Sequence, residues 1–73
     1  MTNEQDKLID EFGKIAKKIP LCYNIIFTAG AIAFEEGTTD EESTIRLKKL
    51  IEFAKESKTE NDFVAKIKKT YID

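Results

Sequence analysis

The chain reads as an all-α protein, a compact four-helix bundle of short helices with an apolar second helix at its centre. Three observations predict this. Leu8, Ile9, Phe12, Ile15, Ala16 and Ile19 fall on one stripe of a 3.6-residue period. A helix start signal recurs three times, as Thr2…Gln5, Thr39…Glu42 and, with a shorter acid, Thr59…Asp62. Gly37 and Pro20, which both interrupt helices, stand between the periodic segments.

The first helix is expected over residues 4–19. Thr2 and Gln5 form a capping box at its start, and Pro20 pushes its predecessor out of the α region at its end. The second, over residues 22–36, is nearly all apolar: from Pro20 to Phe34 only Asn24 and Thr28 are plainly polar. Tyr, Ile, Phe and Thr also favour strands, and a hairpin turning at Thr28-Ala29-Gly30 is the competing form. Neither arm alternates cleanly, however, and two strands alone make a weak unit. As a helix closed by Gly37, it presents Tyr23, Phe27, Gly30 and Phe34 within about 60° of one another. Cys22, Ile26, Ala29 and Ala33 form a second, smaller-residue face, and Asn24, Thr28 and Glu35 a narrow polar one. A rod so apolar is expected at the centre of the bundle, with any aromatic surface left over serving a partner.

The third helix, over residues 40–57, opens at the Thr39 capping box and carries Leu47, Leu50, Ile51 and Ala54 on one face with Phe53 at its edge. The fourth, over residues 60–72, carries Phe63, Val64, Ile67 and Tyr71. Seventy-three residues predict one domain, of a size that buries about 60 % of its unfolded surface.

The chain has no histidine and one cysteine, so the commonest general base, the commonest metal ligand and any internal disulfide are missing. The three glycines are isolated, so no phosphate loop is present. We therefore expect no enzyme, no cofactor and no metal site. The apolar neighbours of Cys22 predict a small buried hydrophobe in a reducing, cytoplasmic setting. Residues 1–19 hold four acids and four lysines and do not read as a signal-peptide n-region, and the Leu21–Phe34 run is too short to span a membrane as a helix.

Net charge is −2, and the basic residues form no broad stripe, which argues against nucleic acid and favours a protein partner. Residues 20–45 carry five carboxylates and no cation, whereas eight cations and five carboxylates follow from Arg46 onward. That asymmetry could steer an encounter or align two copies of the chain antiparallel. Glu35 and Glu36 are expected in the last turn of the second helix, where the dipole disfavours them, and read either as part of a solvated connector or as a docking patch for a basic surface. Arg46, the only arginine, is expected to pair with Glu42 one turn before it, or to fork onto a partner carboxylate. Tyr23, Phe27, Phe34, Glu35, Glu36 and Arg46 are the candidate partner-binding residues.

The expected function is a non-catalytic binding module, an inhibitor or regulator of the microbial or phage type that occupies another protein's surface. Three other readings compete with it. Small bacteriocin-immunity proteins are similar in architecture, though no specific residue carries that likeness. Glu42-Ser43-Thr44-Ile45, opening a helix after a long segment, resembles the attachment site of acyl carrier proteins. That resemblance implies phosphopantetheine on Ser43, although the family's Asp-Ser-Leu is absent. Finally, residues 33–45 have the outline of a helix-turn-helix, with Ser43 where that motif wants an apolar side chain.

Overall fold

The structure, a computed structural model, describes residues 2–72. It contains four α-helices: α1 (Asn3–Lys18), α2 (Tyr23–Ala33), α3 (Asp40–Glu56) and α4 (Glu60–Ile67). A single wide π turn, Lys68–Ile72, extends α4. No strand occurs among the described residues, so residues 23–33 are helix and not a hairpin.

The start signals act as their sequences require. Thr2 Oγ1 accepts from Gln5 N–H at 3.0 Å while Gln5 Oε1 accepts from Thr2 N–H at 3.1 Å. Thr39 and Glu42 form the second reciprocal box. Thr59 Oγ1 accepts from Asp62 N–H at 3.2 Å, but the shorter Asp62 carboxylate reaches the Lys58 N–H instead of closing a box. After α1 the Leu21 N–H returns to the Ala16 carbonyl at 2.8 Å, passing over Pro20, which has no N–H to give.

The bundle is as expected, but its central member is α3 and not α2. Alpha3 packs against α1, α2 and α4, and buries Leu47, Leu50, Ile51, Phe53 and Ala54. It has the length for this. With 17 residues it outreaches α2, with 11, and α4, with 8. Three helices of such sizes cannot wrap α2, which buries only Ala29 and Ala33, with Ile25 and Ile32 partly covered. Small side chains let α2 seat close to the core while its larger ones face outward.

The α1–α3 seam is the firmest part of the core. Glu4 pairs with Lys48 and Glu11 with Lys55, each at 3.2 Å, so the pairs advance in the same direction and the two helices run parallel. Buried Gln5 donates to the Asp40 carbonyl at 3.0 Å and to Thr44 Oγ1 at 3.2 Å, tying the N-termini of both helices together. Beneath them Phe12 and Phe63 meet with ring centroids 5.8 Å apart.

Candidate protein-docking surface

Alpha2 is held at its ends. At the N-terminus the Glu60 carboxylate accepts from the Cys22 N–H at 2.6 Å, a negative charge where exposed N–H groups favour one. At the C-terminus Arg46 donates to the Ile32 carbonyl at 2.8 Å and to Glu35 Oε2 at 3.1 Å. Its guanidinium carbon also lies 5.8 Å from the centre of the Tyr71 ring, which the π turn carries. Partial burial raises the Tyr71 pKa above its ordinary value, and the nearby Arg46 charge offsets part of that rise.

Between these clamps the aromatic stripe is open to solvent. Tyr23 is 81 % exposed, Phe27 72 % and Phe34 38 %, with Ile26 at the stripe's edge. Gly30 lies within the stripe, and a Cβ built there would meet no atom within 4 Å. Packing within the chain therefore does not require this glycine. Beside it a groove of about 150 Å³ is lined by Ile26, Gly30 and Phe34 of α2, Ile9 and Phe12 of α1, and Leu47 of α3 among others. That volume is well below the roughly 300–1,000 Å³ of small-molecule sites, but it suits one side chain.

Tyr23 and Phe27 stand one turn apart on α2, and Phe34, its C-cap, lines the groove. Glu35 and Glu36 are exposed but follow the helix rather than ending it, because α2 stops at Ala33 with Phe34 as its C-cap. The Arg46 guanidinium, bonded to both the Ile32 carbonyl and Glu35, offsets the dipole's repulsion at that end. The Thr38 N–H returns to the Glu35 carbonyl at 3.0 Å, and Gly37, at φ +89°, occupies the third place of that turn. Glu36 has a negative φ, so this is a type II pattern that glycine alone enters without strain.

Arg46 corrects its expected pairing. Glu42 bonds Thr39 in the capping box, which leaves Arg46 to fasten the end of α2. Cys22 is a further correction, being exposed rather than buried. Ser43 is 4 % exposed, so its hydroxyl is not presented as a carrier-protein attachment point. The α3 tip displays Asp40, Glu41 and Glu42, which would repel a phosphate backbone.

Gln5, Glu60, Ile26 and the groove floor were not apparent from sequence. Only the capping role of Gln5 has a local signal. Among the described residues no acid, cysteine and histidine cluster fit for a metal ion occurs, and no helix is long and apolar enough to cross a membrane. Comparison with family models, curated proteins and solved structures finds no match to this chain.

Proposed function

We propose that the chain is a non-catalytic protein-binding module, an inhibitor or regulator that acts by occupying a partner protein's surface with the outer face of α2. The observation that carries this reading is the combination of exposed Tyr23 and Phe27 with open space over Gly30 beside an apolar groove. Large aromatics left in water forgo the free energy that burial would return, and contiguous apolar patches mark interaction sites. Glu35 and Glu36, at the end of the stripe, supply an acidic rim for a partner with a basic edge. Arg46 serves this surface by positioning α2 rather than by reaching outward, since both of its hydrogen bonds stay within the chain.

The test is affinity capture from extract of the native host, with mass spectrometry, run beside Phe27→Ala. A discrete protein retained by the wild type and lost by the variant is expected. Equal retention by Phe27→Ala, with the variant folded, would refute the α2 face as the binding surface.

A further inference from the structure

Where α1 and α3 end side by side, an open cleft of about 370 Å³ lies between their last turns. Ile15 and Ile19, one turn apart on α1, and Ala54 of α3 form its apolar floor, and Lys18, Lys55 and Lys58 stand around it. It has more than twice the volume of the groove beside Gly30. No carboxylate lines it among the described residues. The hollow at the other end of the same helix pair has the reverse character, with Glu4, Asp40 and Glu41 in its wall.

The fold accounts for these lysines only in part. Helices that end here favour cations in their last turns, which covers Lys18 and Lys55, and Lys55 also pairs with Glu11 at 3.2 Å. Lys58 lies past the end of α3, and neither it nor Lys18 meets a carboxylate through its ammonium group among the described residues. The acids on the adjoining turns are engaged elsewhere or stand outside. Glu60 accepts from the Cys22 N–H, Asp62 accepts from the Lys58 N–H, and Glu56 does not line the cleft. Two unpaired cations above half-buried isoleucines call for a partner that is anionic at its edge and apolar beneath. Ser57 narrows the choice. Its hydroxyl gives its one hydrogen to the Phe53 carbonyl at 2.7 Å, so toward the cleft it can only accept. A peptide N–H is a donor of that kind, and an inorganic anion offers none.

We propose that this cleft is a second docking site, which takes an acidic peptide segment of a partner protein, with an apolar side chain on Ile15 and Ile19 and carboxylates at Lys18 and Lys58. It goes beyond the reading of α2 and has no α2 residue in its wall.

The probe is the synthetic peptide acetyl-Glu-Glu-Leu-Leu-Glu-Glu-amide, titrated into the isotope-labelled full chain and followed by amide chemical shifts. Saturable shifts are expected at Ile15, Ile19, Ser57 and Lys58, and added salt should weaken the binding. Lys18→Glu combined with Lys58→Glu should reduce the affinity about tenfold, with an unchanged melting temperature because both side chains are exposed. With the wild type, glutamine in place of each glutamate of the peptide, or serine in place of each leucine, should weaken binding similarly, so the result does not depend on how the variant folds. The proposal is overturned by an absence of saturable shifts at the cleft, by equal affinity for the glutamine peptide, or by unaltered binding to the double lysine variant. Preference for phosphatidylserine vesicles over the peptide would make the occupant a lipid surface, and shifts in the free chain that grow with its own concentration would make it the acidic tip of a second copy. Either result overturns the proposal as well. Phe27→Ala should bind the peptide as the wild type does, so failure of the α2 reading is told apart from failure of this one.

Discussion

The α1–α3 seam and the outer face of α2 use similar apolar side chains in opposite ways. In the seam Phe12, Leu47 and Leu50 are covered, Gln5 has partners for its whole amide, and ion pairs flank both ends. On α2 the largest side chains face solvent, and the helix is retained by Ala29 and Ala33 beneath, with Glu60 and Arg46 at its tips. The first arrangement holds the fold together. The second holds a surface in place without drawing stability from its largest side chains.

This contrast is sharpest for the two phenylalanines that occupy its extremes. Phe63→Ala removes a fully buried ring that meets Phe12, and is expected to lose about 3–5 kcal/mol, most of the stability available to a domain of this size. Urea unfolding checks this, and a loss below about 1 kcal/mol would show that the core repacks around the gap.

Arg46→Ala comes next. It leaves the Ile32 carbonyl and Tyr71 without their partner, and is expected to cost about 1–2 kcal/mol, with little of that from the solvent-screened Glu35 pair. Hydrogen exchange should quicken at the C-terminal turn of α2 while the α1–α3 seam stays protected. Fraying spread evenly over both would break the distinction between them.

Tyr71 supplies a pH-dependent companion to this test. Its folded-state pKa is raised, so its contribution to stability is whole below the unfolded value of about 10 and is lost as pH rises through the folded value. Unfolding followed above neutral pH should show that alkaline loss in the wild type and its reduction in Tyr71→Phe. An identical profile for both would remove Tyr71 from the clamp.

Gly30→Ala is the smallest change with a definite sign. Because the added methyl meets nothing and alanine favours helix, the monomer should gain about 0.5–1 kcal/mol in thermal or urea unfolding. A loss of stability would mean that the site is filled within the chain after all.

How far these two regions could be read in the sequence also differs. The seam was legible: the α1 and α3 stripes and their capping boxes are local patterns, and the structure reproduces them within a residue or two. That Tyr23 and Phe27 share a face was legible as well, since it needs only the helical period within α2. Their exposure was not. A segment apolar on two sides gives no preferred direction of burial, and the choice was made by Ala29 and Ala33, whose small size admits close packing on α3. The partners of Arg46 were hidden for a related reason. The i, i+4 rule pointed to Glu42, but that carboxylate serves Thr39, and the Ile32 carbonyl comes near only once α2 has docked. Gln5 showed its cap but not its reach to Asp40 and Thr44.

The separation of fold from surface is tested most directly by urea unfolding of Phe27→Ala beside the wild type, at a concentration where both are monomeric. The expected change is under about 0.5 kcal/mol, because a ring 72 % exposed has little packing to lose. A loss of about 2 kcal/mol or more, with the variant still helical, would contradict it by showing that the outer ring of α2 belongs to the core.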